Sequence, residues 1–160
     1  MANIITSKGH VITVDDDDYE LLNTFKWHID ADGYFQAHTP MVNGKRKHVK
    51  IHRFITNAPT GMVVDHINHD KSDNRKANLR VCTHTENVRN MQTRKQLNGI
   101  KGVYFTPNEK RKKKYLVCIR VDGRQKNIGR FLTQEEAANA YDIAAKLHYG
   151  EFACTNKENS

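Results

Sequence analysis

The segment VDHINHDKSDNRKANLRVCTHTEN, residues 64–87, decides the fold of the first half of the chain. It opens at the end of a short apolar run, Met62 to His66, that suits a strand. A polar stretch rich in Asn and Asp follows, then a second short strand, LRVC at 79–82. Thr83 and Glu86 stand three apart, the pattern of a capping box, so a helix is expected to run from there through roughly Arg94. The order strand, loop, strand, helix puts Asn87 in the first helical turn, where its amide can face back toward Asp65 and His66. A lone histidine after a strand is usually a surface or packed residue, and polar Asn/Asp loops are usually turns. Asn78 follows His66 by 12 residues and Asn87 follows Asn78 by 9. His69 and Asp70 have no such partners and read as bystanders.

Outward from this segment, composition sets bounds. A chain of 160 residues is one compact domain or two small ones, and with 38% hydrophobic residues any core is modest. The net charge of +8 is concentrated: residues 89–130 hold 13 Lys/Arg against 2 Asp/Glu, whereas residues 1–88 hold 11 of each. A local positive patch on a chain with interleaved Tyr104, Phe105, Tyr115, Val117 and Ile119 suggests a folded surface for a polyanion, most commonly nucleic acid. Cys82, Cys118 and Cys154 are odd in number and lack a Cys-x-x-Cys spacing, which argues against a disulfide framework and a zinc knuckle. No stretch approaches the ~18 apolar residues of a membrane span. A reducing, cytoplasmic setting and no membrane partner are expected.

Residues 1–58 read as strands and turns. KGHVITVD alternates, and DYELLNTFKW is a short helical pattern whose preceding aspartates, Asp15–Asp18, answer the helix dipole more simply than they make a metal site. GYFQAHTP and KRKHVKIHRFI look like a hairpin around Asn43-Gly44, and Trp27 reads as core. His52 and Arg53 fit either packing or a phosphate contact. His84 lies exposed in the capping box.

Asp65-His66, Asn78-Leu79 and Glu86-Asn87 resemble the three anchor points of HNH endonucleases, the ββα-metal nucleases, and especially the homing-type subgroup of phage and intron-borne enzymes. The upstream IHRFI and the interior DNR at 73–75 resemble that subgroup too, over roughly residues 50–92. The third letter is Asn87 in place of His, as homing-type members commonly show. The resemblance implies that Asp65 and Asn87 hold a divalent metal through oxygen, magnesium or manganese before zinc. It implies that His66 is the general base on water, suited to neutral pH, and that Asn78 supports the site structurally by bonding the loop backbone.

Past a basic linker at 93–98, GVYFTPNEK, KKYLVCIRVD and KNIGRF read as three strands, the last two joined at Asp122-Gly123. Thr133 to Glu136 forms another capping box, opening a helix that ends at Gly150 and carries Ala137, Ala138, Tyr141, Ala144, Ala145 and His148 along one side. Residues 99–160 resemble the APETALA or ethylene-response type of DNA-binding domain. The residues that carry this are Gly102-Val103, Tyr115 to Arg120, Ile128-Gly129-x-Phe131, Ala140-Tyr141-Asp142, Gly150 and Asn156. In that family a three-stranded sheet lies in the major groove. Tyr104, Tyr115, Cys118 and Gln125 depart from the family's reading residues while Arg120 is retained, so sheet-mediated binding is implied without its base specificity.

The expected fold class is α+β: a small ββα-metal domain with a β-rich N-terminal extension at 1–92, then a three-stranded antiparallel sheet packed on one helix. The partner expected is double-stranded DNA, contacted through Arg53, Arg75, Arg94, Lys95, Lys101, Tyr104, Lys112, Lys113, Lys114, Tyr115, Arg120, Arg124 and Lys126, with a monomer favoured over a dimer. A different class also fits, a DNA-binding regulator on an inert nuclease fold. The enzyme is preferred because Asp65, His66 and Asn87 are all chemically competent.

Overall fold

The computed structural model describes residues 1–39, 46–91, 100–107 and 110–157. The fold is α+β, built from small antiparallel sheets and short helices in two compact units, residues 1–87 and 88–160.

The first unit opens with a hairpin of β1 (Ala2–Ile5) and β2 (Val11–Val14), which pairs Ile4 with Ile12. α1 (Asp16–Leu22) follows with Asp16, Asp17 and Asp18 in its first turn, where carboxylates meet the positive end of the helix dipole. Two short strands, β3 (His28–Ile29) and β5 (His48–Lys50), flank β4 (Phe35–His38). Alternation along β4 sends Phe35 and Ala37 into a core shared with Ile4, Ile12, Val14, Leu22, Trp27 and Ile51. The Trp27 indole N–H donates to the Leu22 carbonyl at 2.8 Å, so this large ring is buried without an unsatisfied donor.

The expected hairpin of GYFQAHTP with KRKHVKIHRFI is corrected here. Only His48–Lys50 pairs with β4, and Ile51–Thr56 is a helix, α2. The run buries the neighbours Ile51 and His52 and packs Ile55 against the core; positions i, i+1 and i+4 lie along one side of a helix, whereas a strand turns neighbours to opposite faces. Asn57, at φ 47°, ends α2 in the left-handed conformation that Asn tolerates. The Asn43-Gly44 turn lies outside the described residues.

β6 (Val63–His66) and β7 (Leu79–Cys82) form a two-stranded ribbon with Asp65 opposite Arg80 and His66 opposite Leu79. The Thr83–Glu86 capping box forms: Glu86 N–H donates to Thr83 Oγ1 at 3.3 Å and Thr83 N–H donates to Glu86 Oε2 at 2.8 Å. It opens α3 (His84–Asn90), which ends one turn short of the expected Arg94; Arg94, Lys95 and the 93–98 linker lie outside the described residues.

In the second unit β8 (Val103–Phe105), β9 (Tyr115–Val121) and β10 (Arg124–Phe131) form an antiparallel sheet with β9 central. The β9–β10 turn holds Asp122 at φ 50° and Gly123 at φ 74°, the pair of positive φ values a two-residue hairpin turn needs. α4 (Gln134–Tyr149) is capped by Thr133 with Glu136, and lays Ala137, Tyr141, Ala144 and Ala145 against Val103, Val117, Ile119 and Val121. The small face brings helix and sheet close. A Cβ on Gly102, at φ 72°, would stand 2.0 Å from the Tyr141 ring, so only glycine fits. The buried Asp142 carboxylate accepts from Asn156 N, Asn156 Nδ2 and Lys157 N, tying the C-terminal segment down. No helix among the described residues is long and apolar enough to cross a membrane.

Candidate active site

Asp65 and His66 end β6, 7% and 5% exposed, and the polar loop that follows is held from both sides. From within, Asn78 binds it. Its Oδ1 accepts the Asn68 N–H at 3.0 Å, and its Nδ2 donates to Asn68 Oδ1 at 2.9 Å and to the Asp73 carbonyl at 2.8 Å. Asn68 in turn donates to the Asp73 carboxylate at 3.0 Å. From without, the edge of β2 docks on it: Thr13 N–H donates to the Ser72 carbonyl and Asn74 N–H to the Thr13 carbonyl, both at 2.8 Å. Asp15 accepts from Lys76 N–H at 2.8 Å and Asp18 pairs with the Lys76 ammonium. The aspartate run therefore anchors this loop as well as starting α1.

The outcome is the placement of Asn74, which is wholly buried. Its Nδ2 donates to the Lys71 and Ser72 carbonyls at 3.0 and 3.2 Å, which fixes the amide with Oδ1 toward His66 Nε2 at 3.3 Å. An amide oxygen can only accept, so Nε2 carries the ring proton and Nδ1 carries the basic lone pair. Burial pushes the His66 imidazole below the ordinary histidine range, against the Asn74 bond and the charge of Asp65, which raise it. His52 of α2 stands edge-on to His66, ring centroids 5.4 Å apart, and Tyr34 packs against both. His52 itself is pushed down to about 3 by burial and then by His66, so it stays neutral and acts as packing against the His66 ring.

Asp65 is joined to Arg80 across the ribbon, Nε to Oδ2 at 2.8 Å and Nη2 to Oδ2 at 2.6 Å, with both side chains nearly buried. Burial and the charge of Asp65 push the Cys82 thiol up. The Asn87 backbone N–H donates to the Thr83 carbonyl at 3.0 Å in the first turn of α3. The carboxylate and carboxamide oxygens of Asp65 and Asn87 are hard donors, a set that suits magnesium or manganese.

The expected DNA contacts separate by geometry. Arg53 is committed inward, donating to the carbonyls of Met62, Ala58 and Pro59 at 2.7, 3.0 and 3.1 Å, where it sets the turn into β6. Arg75 holds Asp73 at 2.7 and 2.6 Å. Lys101 donates to the Arg89 and Met91 carbonyls, both at 2.7 Å. These three make intramolecular bonds. In the sheet, the pleat puts Tyr104, opposite Leu116, on the same face as Arg120 and Gln125, away from α4. Tyr115 falls on the helix side and packs into the core, its ring 5.4 Å from Phe105. Arg124 and Lys126 share that parity, opposite Val121 and Ile119, and stay exposed beside the hairpin turn. Lys112 and Lys113 are exposed and Lys114 half-buried.

Sequence reasoning passed over Asn74 and Arg80. The signal for Asn74 was present as the middle letter of DNR; that for Arg80 was its register opposite Asp65, visible only once the loop length is known.

Residues 46–89 match the family model for HNH endonucleases. A protein of Acanthamoeba polyphaga mimivirus, described as the uncharacterized HNH endonuclease L560, is 29% identical over 94% of this chain and 76% of its own length. A solved structure of the HNH homing endonuclease I-HmuI is 23% identical, covering 78% of this chain and 75% of that one with a TM-score of 0.41. α2, β6, the bonded loop, β7 and the capping box of α3 all lie inside the matched span.

Proposed function

We propose that this chain is a homing-type endonuclease that nicks or cleaves double-stranded DNA, with His66 as general base and a divalent magnesium or manganese ion held by Asp65 and Asn87. The observation that carries the reading is the Asn74–His66 bond, because a buried amide that fixes an imidazole tautomer serves a proton acceptor and has no use on an ordinary surface histidine. In this mechanism His66 takes the proton of the attacking water on Nδ1 while Nε2–H stays on Asn74. Asn74 is a positioning residue. Asn78 and the β2 edge keep the loop, and hence the imidazole, in place. Asp65 and Asn87 would hold a divalent metal, which would supply charge neutralisation at the phosphate and at the leaving 3′ oxygen. Arg80 holds the Asp65 carboxylate at the strand end.

The C-terminal unit, residues 99–160, acts as an APETALA-type module that places the nuclease on DNA. Support comes from its sheet-on-helix architecture, the Tyr104–Arg120 face turned away from α4, and the exposed lysines before β9. The test is relaxation of a supercoiled plasmid bearing the DNA that flanks the gene. Nicking is expected with magnesium, none with chelator, and none from Asp65→Ala. Equal nicking by Asp65→Ala overturns the metal role given to Asp65, and no nicking by wild type under any divalent metal overturns the proposal in favour of an inert DNA-binding protein.

A further inference from the structure

The β3–β4–β5 sheet has one face in the core and one in solvent, and the solvent face is unusual in what it carries. His38 on β4 stands directly opposite His48 on β5, and His28 on β3 stands opposite Gln36, two residues before His38 on the same face. One histidine from each strand therefore converges on one spot. The His38 ring centroid lies 4.2 Å from that of His48 and 5.9 Å from that of His28, and one nitrogen from each ring can be chosen so that all three lie within 4.8 Å of one another. Among the described residues this is the one such group of His, Cys, Asp and Glu, and it shares no residue with the His66 site.

Folding gives no reason for the cluster. The opposite face already supplies Phe35 and Ala37 to the core, and the histidine face is exposed at His38 and His48 and half-exposed at His28. Cross-strand positions that face water are usually filled by residues that attract or ignore each other; three facing imidazoles repel once protonated. Unprotonated imidazole is the form that ligates metal, and a shared metal is what makes three facing imidazoles compatible.

We infer that His28, His38 and His48 form a zinc site that ties the three strands together. In a tetrahedral site with Zn–N near 2.0–2.1 Å, ligand nitrogens sit about 3.3 Å apart. The rings close to that spacing by small side-chain rotations at an exposed surface, with no movement of the core. Three imidazoles favour zinc, nickel or copper over the magnesium and manganese that suit the oxygen donors of Asp65 and Asn87, so the two sites take different metals. A staple also has work to do here. β3 is two residues long and β5 three, too short for their ladders alone to hold them firmly, and β5 runs directly into α2, whose His52 packs on His66.

The inference is tested with untagged, metal-stripped full-length protein, titrated with zinc against a chromophoric chelator, with cobalt as a spectroscopic probe. Wild type is expected to bind one zinc with high affinity, to show the intense visible bands of tetrahedral cobalt, and to melt several degrees higher with zinc than without. Both His38→Ala and the milder His48→Gln should lose more than the roughly 10–100-fold in affinity that removal of a mere outer partner costs. His66→Ala should bind zinc as wild type does, which separates this site from the nuclease centre. Absence of tight zinc binding by wild type overturns the inference. So does unchanged affinity in both cluster variants, or loss of zinc in His66→Ala instead.

Discussion

Replacing Asn74 with aspartate puts a carboxylate where a neutral amide oxygen now meets His66 Nε2, and the consequence for pH dependence can be worked out. The separation is 3.3 Å. At an effective dielectric constant of about 20, two unit charges at that distance attract by about 5 kcal/mol. At 1.36 kcal/mol per pH unit this sets a ceiling of about 3–4 units on the rise in the His66 pKa, and desolvation of the new carboxylate trims it to about 1–3. In wild type, burial holds His66 below the usual histidine range, so a base at this position is expected to be ready across neutral pH, with activity falling on the acid side. In Asn74→Asp the acid limb of kcat/KM for plasmid nicking should move up by about 1–3 pH units. The replaced Nδ2 also leaves the Lys71 and Ser72 carbonyls without their donor, so melting is followed alongside. Asn74→Ala, which frees the tautomer without adding charge, should lose roughly 10–100-fold in rate with little shift in the limb. A folded, active Asn74→Asp whose acid limb coincides with that of wild type would refute the role given to Asn74.

Three further outcomes follow from the same contacts. Arg80→Met strips the partner from a nearly buried Asp65; it should cost about 3–5 kcal/mol in denaturant unfolding without divalent metal, and magnesium should restore more stability to it than to wild type. His52 is neutral in the fold at pH values where the unfolded chain protonates, so stability should fall as pH drops from about 6.5 toward 3. His52→Leu should flatten that fall in acid melts, and an unchanged slope would assign it elsewhere. Replacing Lys112, Lys113 and Lys114 together with alanine should lower the slope of log affinity against log salt by up to about 3 in a mobility-shift titration, with the nicking chemistry of bound complexes unchanged.

The ββα framework was legible in the sequence because its signals are local: β6 and β7 are short apolar runs, and the Thr83–Glu86 box marks a helix start whatever surrounds it. The C-terminal strands and α4 were legible for the same reason, through Asp122-Gly123 and Thr133–Glu136. What failed was IHRFI, where β-branched residues suggested a strand, and burial of the neighbours Ile51 and His52 with Ile55 against the core made a helix. The bonding of the basic residues was hidden for a different reason. A sequence shows the charge of Arg53, Arg75 and Lys101 but not the carbonyls and carboxylate that consume them. Nor did it show which face of a sheet Tyr115 takes until the register was known. Arg80 and Asn74 were hidden because both act across a loop closed by long-range bonds.

The central claim is that His66, and not its neighbour His69, takes the proton from water. Single-turnover nicking of the flanking-DNA plasmid by wild type, His66→Ala and His69→Ala at saturating magnesium tests it directly. His69 lies on the loop at φ 65°, outside the Asn74 contact. His66→Ala is expected to abolish nicking while still binding DNA, and His69→Ala to stay within a few-fold of wild type. Loss of nicking in His69→Ala with activity retained in His66→Ala would contradict it.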